Sequence, residues 1–311
     1  MKKFRFAMLL TAILLTAALA ASALPEPILG EVYDAGRTLL FDTTNVTLNG
    51  TAQFSLDGER FKTVNARYVQ DDVNSYWKYQ LLTPRKNGQG DRESGYTVIA
   101  NGSYLYTADA YYPGTYREGY DSSEQNTLVR RSALMDQAVE LAGVAISAAE
   151  PLLGEDAVQV VTENHTGKVV RVMLDEGSVT PLSKAAFNLC ALQVIRRAIE
   201  PVDYDLLPDT ETYLYQYVSL SKGILALTSR YDLRSLDVTV TLDGNGRIRG
   251  LSGAVSVELV MEPGLTLNDE AQPHILDCSF SVTAAEYGTS KVEKFDPEKN
   301  GLVPQYTLYG E

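Results

Sequence analysis

The sequence is poor in the side chains that most often carry catalysis or hold metals. It has two histidines, His165 and His274, and two cysteines, Cys190 and Cys278, in 311 residues. Zinc sites draw three or four His, Cys or acidic ligands from close-set positions, and these four residues are scattered. There is no H-E-x-x-H, no G-x-S-x-G and no P-loop. The stretch GLSGA at Gly250 has the wrong spacing for a nucleophile elbow. Thiol catalysis would need Cys190 beside a histidine, but Cys190 lies in an apolar helical stretch, where a thiol is more often inert packing. Two cysteines 88 positions apart (278 − 190) do not make a disulfide framework. They are either two buried free thiols or, outside the cytoplasm, one bridge. No catalytic residue, metal ligand or cofactor site is expected.

Long hydrophobic runs are scarce too. The single candidate is the N-terminus, MKKFRFAMLLTAILLTAALAASALPEP. Lys2, Lys3 and Arg5 precede an uncharged run from Phe6 to Ala21, and Ala21-Ser22-Ala23 has the small-x-small form of a signal-peptidase site. The run is shorter than the ~20 residues a membrane span needs. The expectation is a cleaved signal peptide over 1–23 and a secreted or extracytoplasmic protein over 24–311, with no transmembrane anchor after processing. The alternative is an uncleaved anchor. Without the three N-terminal cations the chain has 24 Lys and Arg (27 − 3) against 40 Asp and Glu, a net charge of −16. Such a surface excludes nucleic acid as a partner, because phosphate binding needs clustered cations.

What the chain has in quantity is alternation. A short helix is expected from about Glu31 to Asp42, with Val32, Ala35, Leu39 and Leu40 at helical spacing. From Val46 the period becomes two, around a hairpin at Asp57-Gly58. SYWKYQLLTP reads as a third strand, RKNGQGDRESG as a polar loop, and YTVIANGSYLYTADAYY as a hairpin turning at Asn101-Gly102. An amphipathic helix follows from about Ser123 to Leu153, with Leu134 and Leu141 on its apolar stripe. AVQVVTENHTGKVVRVML is another hairpin. Thr180 and Pro181 open a helix to about Glu200, with Phe187, Val194 and Ile195 on its apolar face. The remainder is strand-rich: TYLYQYVSL, LDVTVTLDGNGRIRGLSGAVSVELVM and HILDCSFSVTAAEYG. The fold class is α+β, a curved antiparallel sheet covered on one face by a few amphipathic helices. Residues 24–311 read as a single large domain, or as two sub-parts joined near 154–180.

Two stretches invite a metal. LDGNGRIRG, from Leu242, has Asp243 and Asn245, but position 254 is Ala where a calcium loop closes with an acid. A hairpin turn accounts for it. DYDLLPDTE gathers Asp203, Asp205, Asp209 and Glu211, either as a calcium chelator or as a solvated loop between helix and strand.

A leading helix feeding a strand meander, the Asn-Gly turn of YTVIANGSYLYT, and the closing run LDVTVTLDGNGRIRGLSGAVSVEL then CSFSVTAAEYGTSKVEKFDPE together resemble the lipoprotein-carrier superfamily, which includes the LolA and LppX proteins and the sensor RseB. The end is the most similar piece, where Tyr287-Gly288 leads to a short segment closing at Pro297. The resemblance implies a half-barrel sheet with helices in its mouth, enclosing an apolar cavity for a lipid or lipoprotein acyl chain. It also implies a non-enzymatic binder or envelope sensor, with an envelope protein as a possible partner. This chain is longer than the simplest carriers and has an extra hairpin and helix between Ala157 and Glu200.

The tyrosine-rich stretch YLYTADAYYPGTYREGY, from Tyr104, supplies candidate ligand contacts. A turn at Asn101-Gly102 pairs Ile99 with Tyr104 and Thr97 with Tyr106. Tyr104, Tyr106 and Tyr112 then share a face, spaced by Ala108 and Ala110. With Leu134 and Leu141 they are the expected cavity walls, unless a helix fills that space. Tyr116 and Tyr120 fall in the following loop, as an exposed rim. Three functions follow: a binder or sensor with an apolar cavity, a carbohydrate or cell-wall binding module using exposed tyrosines, or a secreted hydrolase with scattered acids.

Overall fold

The structure, a computed structural model, describes residues 28–84, 90–102, 104–109, 114–120, 127–128, 139–140, 157–181, 184–185, 187–188, 228–261 and 273–304. Helix α1 (Ile28–Phe41) starts three residues before its expected N-terminus and buries Leu29, Val32, Ala35, Leu39 and Leu40 as one stripe. It packs on the later strands β9 and β10. Lys168 Nζ on β8 reaches Glu31 Oε2 at 2.7 Å near the helix start.

The strands are β1 (Val46–Leu56), β2 (Glu59–Gln70), β3 (Asn74–Pro84), β4 (Asp91–Asn101), β5 (Tyr104–Asp109), β6 (Thr115–Tyr120), β7 (Val158–Asn164), β8 (Gly167–Leu174), β9 (Thr228–Asp243), β10 (Ile248–Met261), β11 (His274–Ala285) and β12 (Val303–Pro304). They form one sheet in the order β12-β6-β5-β4-β3-β2-β1-β11-β10-β9-β8-β7. Two meanders therefore meet: β1 to β6 runs outward, β7 to β11 runs back, and β11 pairs with β1. Only β12 on β6 is parallel; all other neighbours are antiparallel. The sheet is curved and unclosed, its edge strands β12 and β7 not being partners. Twist alone bends a sheet of this width, and the register shifts at Phe54/Ser55 and Ser256/Val257 add local kinks.

The turns form where expected at two hairpins. Leu56 pairs with Glu59 around Asp57 (φ 52°) and Gly58 (φ 81°), the left-handed pair that matches strand twist. Asp57 does more: its carboxylate accepts from Ile275 N and meets His274 Nδ1, both at 2.8 Å. At the other hairpin Asp243 Oδ1 accepts from Asn245 N at 2.9 Å and Arg247 N at 3.0 Å, so LDGNGR is a side-chain-braced turn. Arg247 also donates to Asp243 Oδ2.

Several expectations are corrected. The β4–β5 register pairs Asn101 with Tyr104 and Ile99 with Tyr106, one residue further along each strand than a turn at Asn101-Gly102 requires. Asp91 to Gly95, read as loop, belongs to β4. The fold is more sheet than expected: α1 is the one complete helix among the described residues. The helices expected over 123–153 and 181–200, and the strand at TYLYQYVSL, lie mostly outside them. Val139, Glu140, Pro181, Lys184, Ala185, Phe187 and Asn188 are helical, whereas Thr127 and Leu128, expected in the first helix, form a bend; Phe187 is buried in the core as its apolar face requires. Val194 and Ile195 lie outside the described residues.

Paired residues share a face, so register sorts the side chains. One row runs Val172, Val238, Gly253, Phe280, Ala52, Val64 and Leu81 across seven strands. This inner face carries the main core together with α1. Gly253 is required in that row. A Cβ there would stand 2.3 Å from the Asp237 carbonyl oxygen and 3.1 Å from the Phe280 ring.

The outer face has its own closure. Residues after β11 run along one end of the sheet from β1 to β6. Ser290 N donates to Asn45 Oδ1 at 2.8 Å, Val292 N to Asp71 Oδ2 at 3.1 Å, and Phe295 N to Asn101 Oδ1 at 3.2 Å. Val303 N then donates to the Gly114 carbonyl at 2.9 Å, starting β12. Three polar side chains thus satisfy a segment that has no ladder of its own. The Phe295 ring lands 5.7 Å from Tyr106, which pairs with buried Ile99.

Two outcomes are expected. Gly253→Ala should lower stability by about 1–3 kcal/mol, since a well-packed site must shift to admit the methyl group; chemical denaturation measures it. Burial pushes the Asp71 carboxyl up, but amides of Asn74, Val73 and Val292 outweigh this and hold it below its usual value. Its stabilising effect is therefore complete above the unfolded pKa, about 3.9, and is lost as pH falls through the lower folded value. The Tm gap between the native chain and Asp71→Ala should be largest near neutral pH and shrink below about pH 4.

Candidate ligand-binding face

The inner face is not uniform. Across β8 to β11 most of its residues are almost fully buried, as at Val170, Val172, Leu236, Val238 and Val240, with Val255 and Cys278 partly so. Across β1 to β4 it turns half-buried and aromatic. Phe54, Leu56, Phe61, Tyr79, Leu81 and Tyr96 are partly exposed apolar side chains packed against the core. The Tyr79 and Tyr96 rings lie 5.4 Å apart as a cross-strand pair, and Phe54 and Phe61 lie 6.3 Å apart. The β2 bulge creates the second pair: Phe54 faces Lys62 and Ser55 faces Arg60, leaving Phe61 as the extra residue. Half-buried aromatics on the inner face of an open sheet make a surface on which an apolar group could lie.

Beside this band lie two groups with defined character. Trp77, the single tryptophan, is buried on the same face two residues before Tyr79 and meets Tyr68 edge-on at 5.9 Å. Tyr68 donates to Gln70, whose amide donates to the Thr44 carbonyl at 2.8 Å, and burial raises the Tyr68 phenol well above its ordinary value. Cys278 pairs with Phe54 and Val255. Burial pushes its thiol up to about 12, so it is a packing group and no nucleophile. It is a free thiol; Cys190 lies outside the described residues, as do Asp203, Asp205, Asp209 and Glu211.

The tyrosines singled out in the sequence are elsewhere. Tyr104 and Tyr106 do share a face, but it is the outer one, because Tyr106 pairs with Ile99 while Val98 belongs to the inner face with Trp77. Tyr116, expected as an exposed rim, is a strand residue only 7% exposed, with its ring 5.9 Å from Tyr106. Around it, Phe295 packs on Tyr106 on the outer face, and β12 pairs with Thr115 and Tyr116 along the edge of β6. Tyr120 is 70% and Tyr104 54% exposed, and their rings stand edge to face at 6.0 Å. Tyr112, Leu134 and Leu141 lie outside the described residues. The structure therefore brings Tyr104 to Tyr120 and Tyr106 to Tyr116, and neither pair to the inner face.

The residues of the inner band were not singled out from the sequence. A signal existed. Trp77, Tyr79 and Leu81 fall at alternate positions of β3, and Val64 with Ala66 and Tyr68 on β2. Each strand alone looks like ordinary amphipathic sheet; only the lateral pairing makes them one surface.

No family model matches the chain, and no curated protein matches it. Among solved structures it is similar, at a low level, to a LolA superfamily protein from Nitrosomonas europaea. That match has 10% identity and a TM-score of 0.20 over 86% of this chain and 94% of the other. A porin-like protein from Bacteroides uniformis is similar at 11% identity and a TM-score of 0.20, over 78% of this chain and 98% of the other.

In a Cys190→Ser background, Cys278 should resist a thiol reagent at pH 8 while the chain is folded and react at once in denaturant. Labelling at equal rates in both states would place the thiol at the surface.

Proposed function

We propose that the protein is a non-enzymatic binder that takes an apolar ligand, such as the acyl chain of a lipid or lipoprotein, on the inner face of its sheet. The observation that carries this reading is the half-buried aromatic band of Phe54, Phe61, Tyr79, Leu81 and Tyr96 beside an otherwise sealed core. Each buried methylene of a chain contributes about 0.8 kcal/mol, so a short stretch of contact suffices for useful affinity. Export through the N-terminal signal peptide, with cleavage after Ala23, places the binder where lipids and lipoproteins of an envelope are met. An envelope protein that hands over or receives the ligand fits the same reading.

The test uses a neutral acyl-chain fluorophore together with native mass spectrometry of protein purified from an envelope extract. Saturable binding that changes Trp77 emission is expected, with lipid-mass adducts. Tyr79→Ala should weaken binding about tenfold, the equivalent of about 1.4 kcal/mol of lost contact. Lys78→Ala, on the outer face one residue away, should leave it unchanged. The absence of probe binding and of adducts would overturn the reading.

A second reading rests on the exposed Tyr104–Tyr120 pair of the outer face. Such rings suit a sugar face, and retention on cell-wall polysaccharide that is lost in Tyr120→Ala would select it.

A further inference from the structure

We infer that the outer corner formed by Tyr104, Tyr120 and Glu118 is a recognition site for a quaternary ammonium group of the trimethylammonium type. The site lies on the face opposite the apolar band and does not depend on the inner-face reading. It gives the outer rings a cationic ligand, where the second reading above gives them a neutral one.

Tyr104 and Tyr120 are cross-strand partners on β5 and β6, so the sheet ladder holds them side by side. They are 54% and 70% exposed. Their ring centroids are 6.0 Å apart and their planes meet at 82°. Two rings at right angles leave a corner with a π face on each wall. Each face is the negative side of the ring quadrupole, so a cation in the corner is attracted by both walls. A neutral group of the same shape gains only the contact. Behind the corner, Tyr106 is packed between Tyr116 and Phe295, at 5.9 and 5.7 Å, and backs the exposed pair from the next position of β5 on that face.

The charge beside the corner has the matching sign. Glu118 stands two residues before Tyr120 on β6 and opposite Tyr106 on β5, on the same outer face. Neighbours on one face of a strand are about 7 Å apart, so its carboxylate borders the corner without filling it. It is exposed and makes no ion pair among the described residues. Its field reaches the face: burial first, then Glu118, Tyr104 and Asp296, push the Tyr106 phenol up. Asp296 is no part of the site, since Lys299 Nζ at 3.3 Å already neutralises it. Arg117 pairs with Thr107 and so alternates to the opposite face. A primary ammonium is strongly hydrated through its three donors and would lose those bonds against ring faces. A trimethylammonium group has no N–H, and its methyl groups carry the charge onto the rings.

Isothermal titration with choline, and with dimethylbutanol as its uncharged carbon isostere, tests this. The native protein should bind choline about tenfold more tightly than the isostere, and rising salt should weaken the choline binding. Tyr120→Leu keeps apolar bulk but removes one π wall, and should lose about tenfold in choline affinity; Tyr120→Phe should keep it. Glu118→Gln should lose about threefold and with it most of the salt dependence. Tyr79→Ala, on the inner face, should leave choline binding unchanged, which separates this site from the apolar band. Retention on phosphatidylcholine vesicles would support the site and assign the group to a lipid headgroup, whereas choline binding without retention would support it with a free solute. Equal binding of choline and its isostere would overturn the cationic assignment and return the rings to a neutral ligand. No choline binding, or full choline affinity in Tyr120→Leu, would overturn the site itself.

Discussion

The pairing of β1 with β11 is the contact on which the rest of the structure depends. Ten residue pairs, from Thr47 with Ala285 to Leu56 with Leu276, join strands separated by the whole run from Asp57 to Pro273. Closing so long a loop costs entropy, although the cost grows only with the logarithm of length. Burial on the inner face offsets it, where Leu48 meets Ala284, Ala52 meets Phe280 and Phe54 meets Cys278. Without this joint each meander would have an open edge and an uncovered apolar face. Helix α1 reinforces it from above: it lies on β9 and β10 and then feeds directly into β1. Asp57 reinforces it from the far end, where the β1–β2 turn holds the first residues of β11.

The same joint gives the two faces different fates. On the inner face, α1 packs over β9 and β10 and most of the β8–β11 half is buried, while the β1–β4 half keeps a half-buried, largely aromatic group, Phe54, Phe61, Tyr79, Leu81 and Tyr96, beside its buried residues. On the outer face most of the sheet is polar, and the segment from Ser290 to Val303 seals only its rim. It does so through Asn45, Asp71 and Asn101, all at strand ends on one side of the sheet. That segment also meets the tyrosines. Phe295 packs on Tyr106, which in turn meets the buried Tyr116, while Tyr104 and Tyr120 stay in solvent.

The proposed function rests on this asymmetry. A sheet sealed evenly on one face would be only a scaffold. Here aromatic rings share one corner of the inner face, and the bulge at Phe61 is what brings an extra ring there. The weak likeness to a LolA superfamily structure was anticipated from the helix, meander and closing run of the sequence. The residues that carry the proposed ligand contacts come from register alone.

The local elements were legible from the chain because their causes are local. Asp57-Gly58 and Asp243 to Gly246 make turns by their own side chains and positive φ, and the stripe of α1 is set by residue spacing. The alternation of β1 to β3 and β8 to β11 likewise belongs to neighbouring residues. The tertiary structure decided what depends on partners far away in sequence. A one-residue difference in the β4–β5 turn changes which residues face each other across the hairpin. The surroundings of Tyr116 include Phe295, through Tyr106, and β12, almost two hundred residues later. A strand specifies which of its residues alternate, but only its neighbours determine which side is inside.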